Sequence, residues 1–251
     1  MTVGLTRDDR HIYRWNDDPP VPGTTGICDM LGKPFLIGWA KKVTAQAAAR
    51  DVKLLATLVE RGGESAAAAW LKEIPDFERD TAGKMGTAVH ILAEAIARKQ
   101  PVVVTEAQQP FVDRYVEWLA KHKPKFKNVE FMVYSASHLY GGTADAVVEL
   151  NGELWLIDYK TGKDAYTDTA LQLAAYAFAD WAGKPGDPRK YAIPKVTRFG
   201  VLHIRPDHAD LIPYSVTAAE YEAFLACRRL FDWKKYREPI VKGEVELVKA
   251  A

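Results

Sequence analysis

The chain has 251 residues, of which 48% are hydrophobic and 27% charged, the ordinary composition of a globular protein with a sizeable core. Its net charge of +1 identifies no partner, so any attraction to nucleic acid must come from local clusters of basic residues. Two cysteines exclude a disulfide framework, and the lack of a long apolar run or signal-peptide core predicts a soluble intracellular protein.

The first half of the chain is predicted to be helical after an irregular arm. The arm comprises residues 1–23, which end in the proline-rich stretch DDPPVPG. Helical patterns follow over residues 26–32, 35–42, 44–73, 87–99 and 105–123. Thr24 or Thr25 is the expected cap of the first helix, Pro34 opens the second, and Gly62-Gly63 breaks the third.

Strands and helices alternate in the second half. Strand patterns occur over residues 128–137, 141–150, 153–160, 196–205 and 211–216, and helical patterns over residues 167–183 and 217–238. Thr217 and Glu220 have the spacing of a capping box at the start of the last helix. This order indicates one mixed α/β domain, in which an N-terminal arm and helical region (1–75) packs on a core (76–251).

Asn151-Gly152 lies between two apolar runs and predicts a β-hairpin with a type I′ turn. The two-residue loop fixes the register, which places Asp145 opposite Asp158. Opposed side chains have Cβ atoms about 4.5–5.5 Å apart, so two carboxylates would repel each other by roughly 4 kcal/mol at an effective dielectric near 20. A shared proton, the neighbouring Lys160 or a divalent cation would compensate.

Two of the predicted helices carry polar pairs four residues apart. His90 and Glu94 lie on one face of a helix beside small residues, which would let another group approach His90. Gln172 and Tyr176 are spaced in the same way. Taken alone, the first pair is better explained as a surface pair, and the second as a half-buried tyrosine with a polar neighbour.

Four motifs follow one another along the chain: G-x-x-x-H, G-x-x-D, D-x-K and Q-x-x-x-Y. They lie in the segments GTAVHILAE (86–94), GGTADAVVE (141–149), LIDYKTG (156–162) and LQLAAYA (171–177). Together they resemble the PD-(D/E)XK nucleases, and more closely the RecB-type branch, which includes CRISPR adaptation nucleases and phage-encoded exonucleases. The resemblance implies a restriction-endonuclease-like core, with a central mixed sheet flanked by helices and an added N-terminal helical region. One departure is Ala144, which precedes the acid where the family pattern has proline.

The resemblance also implies roles for individual residues. The implied metal ligands are His90, Asp145, Asp158 and the backbone carbonyl of Tyr159. With the two aspartates, Lys160 would form the catalytic set, in which it positions or activates the attacking water. Gln172 and Tyr176 would hold the DNA strand, and Glu130 and Glu94 would be outer-shell acids.

The implied cofactor is Mg²⁺ or Mn²⁺, because carboxylates suit both ions and an imidazole favours Mn²⁺. Several RecB-type relatives carry four cysteines for an iron–sulfur cluster. Cys28 and Cys227 cannot supply four ligands, so no iron–sulfur cluster is predicted. The basic and aromatic segments 121–127 and 228–237 can be interpreted as DNA contacts or as solvated faces.

The first hypothesis is a metal-dependent exonuclease that hydrolyses linear DNA, single- or double-stranded, in recombination, repair or phage DNA metabolism. The resemblance also implies a single-strand-annealing or recombination protein as partner. It implies a location in the cytoplasm of a bacterial or phage-infected cell. A structure-specific endonuclease on the same core is the second hypothesis, and a non-catalytic DNA-binding subunit is the third. The complete set of His90, Asp145, Asp158 and Lys160 argues against the third.

Overall fold

The computed structural model describes residues 3–236 and contains six α-helices and ten β-strands in that part of the chain. The helices are α1 (Thr24–Cys28), α2 (Phe35–Arg50), α3 (Val52–Ala97), α4 (Gln109–His122), α5 (Thr169–Ala177) and α6 (Ala218–Tyr236). The strands are β1 (Leu5–Arg7), β2 (Ile12–Trp15), β3 (Val21–Pro22), β4 (Lys125–Ser135), β5 (Tyr140–Leu150), β6 (Glu153–Lys160), β7 (Trp181–Lys184), β8 (Asp187–Tyr191), β9 (Arg198–Ile204) and β10 (Ala209–Tyr214).

A seven-stranded mixed sheet lies at the centre, in the order β10-β9-β6-β5-β4-β7-β8. β6 and β9 run parallel to each other, whereas the other neighbouring strands are antiparallel. Helices flank the sheet, so the predicted mixed α/β architecture is confirmed. Between residues 3 and 236, no helix combines the length and the apolar character that a membrane span requires.

Both faces of the sheet are buried. One face packs on α5 and α6, where Leu173 and Phe224 belong to the same apolar cluster as Leu156 of β6. The other face packs on α3 and α4, where Trp118 belongs to the same cluster as Ile157. Because successive strand residues point to opposite faces, a strand covered on both sides is nearly continuously apolar, as the LWLI stretch of β6 is.

The predicted hairpin between β5 and β6 is confirmed. Asn151 has a φ of +51° and Gly152 a φ of +83°, as a type I′ turn requires at both central positions. The register pairs Leu150 with Glu153 and continues to Ala146 opposite Ile157.

The prediction of an irregular N-terminal arm is wrong, because β1, β2 and β3 form a separate three-stranded antiparallel sheet. Its face buries Leu5, Tyr13 and Trp15 in a cluster with Tyr134 and Trp181 of the central sheet. The rings of Trp15 and Trp181 meet edge to face with centroids 4.3 Å apart. These partners are more than a hundred residues away in the sequence, so local periodicity did not reveal them.

The N-terminal helices are longer than predicted. α2 continues to Arg50, so the predicted helix 44–73 is divided at Asp51. α3 joins the rest of it to the predicted helix 87–99 and passes residue 75, the predicted boundary of the core. The expected break is present at Gly63, whose φ of 72° and ψ of −178° are not helical. α1 begins at Thr24 with Gly23 as its cap, so a threonine side chain does not cap it.

The predicted helix 167–183 ends early, at Ala177, and the chain then forms β7, which pairs with β4. β8 was not predicted. The capping box at Thr217 is confirmed: its hydroxyl accepts the Ala219 N–H at 3.1 Å, and Glu220 accepts the Thr217 N–H at 2.6 Å. Arg237 and Glu238, the end of the predicted last helix, lie outside the described residues.

Candidate active site

β5 and β6 separate at Asp145, and this separation shapes the site. The backbone ladder ends at Ala146 opposite Ile157. Beyond it, the N–H of Tyr159 donates to Oδ2 of Asp145 at 2.6 Å. A side-chain carboxylate therefore takes the place of a strand carbonyl, and its position is fixed by the main chain of the neighbouring strand.

The alternation of β5 also changes at Asp145. Ala144 belongs to the core under α5 and α6, whereas Ala146 belongs to the core under α3 and α4. Residues two apart in a regular strand share a face. On the neighbouring β4, Glu130 has a φ of +48°, and Glu130 and Asp145 do not pair in the ladder. This irregularity directs both acids into a cleft.

The buried Asp158 and the partly exposed Lys160 form an ion pair on β6. The Nζ atom of Lys160 lies 2.5 Å from Oδ2 of Asp158, whose side chain is only 4% exposed. This ammonium is the polar partner of that buried oxygen. Burial raises the pKa of Asp158, and the charge of Asp145 adds to the rise, while Lys160 opposes it. Burial alone would lower the pKa of Lys160, but Asp158 raises it above its ordinary value.

His90 on α3 faces Asp145 across the separated strands. Its Nδ1 lies 3.4 Å from Oδ1 of Asp145. Burial favours the neutral imidazole, yet the nearby carboxylate outweighs burial and raises the pKa of His90. For Asp145, burial raises the pKa, but His90, the Tyr159 N–H and Lys160 together lower it below its ordinary value. The pKa values of the two aspartates are therefore shifted in opposite directions. The ionised form of Asp145 is stabilised by more hydrogen bonds and positive charges than the ionised form of Asp158.

α5 forms a second wall of the cleft. The ammonium of Lys160 donates to Oε1 of Gln172 at 3.3 Å, and Nε2 of Gln172 donates to the hydroxyl of Tyr176 at 2.5 Å. The ring of Tyr176 lies against Gly142, where an added Cβ would come within 2.5 Å of Cε1 of the ring. The predicted pair of Gln172 and Tyr176 is therefore linked directly to the lysine.

The N-terminal sheet forms a third wall, which the sequence did not predict. The hydroxyl of Tyr13 lies 2.8 Å from Oγ1 of Thr143, and Nη1 of Arg7 donates to the same oxygen at 3.2 Å. The ring of Tyr13 lies on Gly141, where a Cβ would come within 2.3 Å of its Cγ. The Gly141-Gly142 pair was the signal in the sequence that other groups approach β5 closely.

These walls enclose a cleft of about 370 Å³. It is lined by seven predicted site residues: His90, Glu130, Asp145, Asp158, Lys160, Gln172 and Tyr176. Lining residues that the sequence analysis missed are Arg7, His11, Tyr13, Thr24, Thr25, Thr87 and Thr143.

Some predicted residues have other contacts. Glu94 pairs with Arg98 at 2.9 Å and does not line the cleft. In the basic segment 121–127, Lys125 and Lys127 pair with Glu149.

The segment 228–237 shows a structural role at its first residue. Arg228 is buried, donates to the carbonyls of His138 and Leu139, and pairs with Asp232. Arg237, at the end of this segment, lies outside the described residues. Neither basic segment contributes to the lining of the cleft.

The donor atoms of the cleft match the chemistry of Mg²⁺ or Mn²⁺. Asp145 and Asp158 supply carboxylate oxygens, and His90 supplies an imidazole nitrogen. Within residues 3–236, no group of three or more His, Cys, Asp or Glu side chains has the arrangement of a formed metal site. In this arrangement Lys160 pairs with Asp158, so an ion that binds there competes with the ammonium.

Comparison with known families assigns this arrangement to a class of nucleases. The model of the PD-(D/E)XK nuclease superfamily matches residues 102–210, which include both aspartates, Lys160 and the polar residues of α5. The matched segment has the superfamily that the sequence motifs predicted. The match indicates a nuclease with DNA as its substrate, and nucleases of this superfamily usually use divalent metal ions. A search of curated proteins found no match to the chain.

Proposed function

We propose that the protein is a divalent-metal-dependent deoxyribonuclease that degrades linear DNA from its ends. One observation carries the proposal: a buried carboxylate, a largely buried one and a lysine, Asp158, Asp145 and Lys160, line one cleft at the separation of β5 and β6. Burying such groups is costly, so a fold that keeps them together has a use for their charge.

In this proposal, Asp145, Asp158 and His90 hold Mg²⁺ or Mn²⁺, together with the carbonyl of Tyr159, and no iron–sulfur cluster takes part. The bound ion would supply an activated water and offset the charge of the phosphate. Lys160 acts as a positive group, because Asp158 raises its pKa and keeps it protonated near neutral pH. It would therefore orient the attacking water and stabilise developing charge rather than accept a proton.

Gln172 and Tyr176 hold the substrate strand beside this centre. Their side chains are hydrogen-bonded to each other, and Gln172 also accepts a hydrogen bond from Lys160. A DNA strand that binds to α5 would therefore have a fixed position relative to Lys160. Glu130 lies in the same cleft, where burial raises its pKa, and acts as an outer acid. Glu94 can take the outer-shell role only if its pair with Arg98 opens.

The walls of the cleft support attack at ends. Of the N-terminal helical region, residues 24–73, only Thr24 and Thr25 line the cleft. The remaining cover comes from the N-terminal sheet, through Arg7 and Tyr13. A cleft enclosed by this sheet, α1 and α5 suits a single strand threaded from a free end better than an unbroken duplex.

The test is a time course with end-labelled linear DNA and covalently closed circular DNA, in Mn²⁺, Mg²⁺ or EDTA at low salt. We expect progressive loss of linear DNA with either metal, none in EDTA, and little attack on closed circles. Asp158→Asn should abolish the activity, whereas the matched change Asp207→Asn, at a side chain 81% exposed, should not.

Rapid linearisation of closed circles would instead favour the structure-specific endonuclease. DNA binding without cleavage in any metal would favour the non-catalytic subunit. An end-dependent nuclease fits DNA recombination, repair or phage DNA metabolism in the cytoplasm of a bacterial or phage-infected cell. There a single-strand-annealing or recombination protein would take up the strand that remains.

A further inference from the structure

Arg7 is a charged residue of the cleft that comes from outside the nuclease core. We infer that its guanidinium binds a backbone phosphate of the substrate strand, adjacent to the phosphate that is cleaved. The inference rests on the proposed function and adds to it a substrate-binding residue on the N-terminal sheet.

The small sheet directs Arg7 into the cleft. Leu5 and Arg7 are two residues apart on β1 and share a face, and Leu5 on that face is fully buried against the central sheet. In the register of β1 with β2, Arg7 pairs with Tyr13, whose ring lies on Gly141. The face that anchors the small sheet thus ends in a guanidinium at the rim of the cleft.

Most of the hydrogen-bonding capacity of Arg7 is unused by the protein. Its side chain donates from Nη1 to Oγ1 of Thr143 at 3.2 Å and also interacts with the hydroxyl of Tyr13. A guanidinium has five N–H donors, which suits it to bind two phosphate oxygens at once. No carboxylate of residues 3–236 lies within ion-pair distance of it.

The other positive groups of the cleft already face acids. Lys160 pairs with Asp158, and His90 faces Asp145. Burial lowers the pKa of His11, and the charge of Arg7 lowers it further, so His11 is neutral near pH 7. On the described part of the N-terminal sheet that lines the cleft, Arg7 is the positive group that an incoming anion can bind without displacing a carboxylate.

The position of Arg7 relative to the metal ligands sets which phosphate it binds. Thr143, its contact, precedes Asp145 by two residues on β5, a rise of about 7 Å. A phosphate that bridges Arg7 and Thr143 is therefore displaced from the reacting phosphate along the strand. The charge of Arg7 also acts on Glu130 in the same cleft: burial raises the pKa of Glu130, and Arg7 opposes this rise.

The experiment measures binding of a fluorescent single-stranded oligonucleotide in EDTA, over a series of NaCl concentrations, with cleavage in Mn²⁺ measured in parallel. Arg7→Gln should weaken binding at least about tenfold, as loss of a charged hydrogen bond implies. It should also reduce the slope of log K against log salt by about 0.7, the value for one phosphate contact on a single strand. Arg7→Lys should keep the slope, because it keeps the charge.

Arg14→Gln is the matched control. Arg14 lies on β2 beside Tyr13, is exposed, and does not line the cleft. It removes the same charge from the same small sheet, so its slope and affinity should stay near wild type. Melting temperatures of all variants check that the sheet stays folded.

An unchanged salt slope in Arg7→Gln would overturn the inference, even if affinity fell, because a purely structural role does not alter the number of phosphate contacts. An equal loss in Arg14→Gln would overturn it too. If wild type cleaves DNA while Arg7→Gln binds and cleaves equally well, only this inference fails. If wild type neither binds nor cleaves DNA, the proposed function fails, and this inference with it.

Discussion

Replacing Asp145 and Asp158 by asparagine should change the free energy of unfolding in opposite directions. Asp145 accepts the Tyr159 N–H at 2.6 Å and attracts His90. A hydrogen bond to a charged group contributes about 1.5–3 kcal/mol and a neutral one about 0.5–1.5 kcal/mol. Asp145→Asn should therefore cost roughly 1–2 kcal/mol, or about 2–8 °C in melting temperature for a chain of this size.

Asp158→Asn should leave stability unchanged or raise it at neutral pH. Its carboxylate is buried beside Asp145, and its pKa is raised even with Lys160 present. Ionisation of Asp158 thus costs more in the folded protein than in the unfolded chain. The amide, which resembles the protonated acid, avoids that cost.

The pH dependence follows from the two opposite shifts. Asp145, with a lowered pKa, contributes stability above its ordinary value of 3.8, and this is lost as the pH falls through the still lower folded value. Asp158, with a raised pKa, favours the fold below 3.8, and this advantage is lost as the pH rises through its folded value. Both variants should therefore approach wild type in acid and differ most near pH 7.

The assay is urea and thermal denaturation followed by circular dichroism in EDTA, at pH 7 and near pH 3.5. Asp207→Asn, on an exposed side chain, is the control for the chemical change itself. The reasoning is refuted if Asp145→Asn is as stable as wild type at pH 7, or if Asp158→Asn is the less stable of the pair.

Other changes test the metal, the lysine and the walls of the cleft. Mn²⁺ at 100 times its dissociation constant should stabilise wild type by about 2.7 kcal/mol, and thermal melts should show no such rise in Asp145→Ala; an equal rise would place the ion elsewhere. Lys160→Ala should keep that rise but slow DNA cleavage at least about 100-fold in single-turnover assays, and near-normal turnover would exclude a catalytic role. Gly141→Ala should destabilise the protein, because the added Cβ would come within 2.3 Å of Tyr13. Gly38→Ala has open space around it and should stabilise helix α2 by about 0.5–1 kcal/mol. Urea melts that show equal effects of the two substitutions would contradict this.

The sequence predicted the features that depend on local chemistry. Asn151-Gly152 determined the turn, and the turn determined the register from Leu150 to Ala146. The register alone did not reveal that the ladder ends at Ala146, one residue before Asp145 would pair with Asp158. There Asp145 leaves the ladder and accepts the N–H of Tyr159, and its neighbours Ala144 and Ala146 belong to opposite cores.

The missed elements depend on distant partners. Residues of β1 and β2 have no amphipathic pattern of useful length, and they are ordered by Tyr134 and Trp181. Trp181 was assigned to a helix, but pairing with Tyr134 on β4 makes it a strand residue. Arg7 was missed for the same reason, since only the assembled small sheet brings it to Thr143.

The hydrogen bond between Asp145 and the backbone of Tyr159 has a consequence for the evolution of this fold. One acid of the pair serves the architecture as well as the chemistry, whereas the other serves the chemistry alone. A lineage that no longer needed catalysis would lose Asp158 at little structural cost, but would tend to retain Asp145. In inactive descendants of this fold, the surviving aspartate would then be a relic of strand geometry and no sign of residual activity.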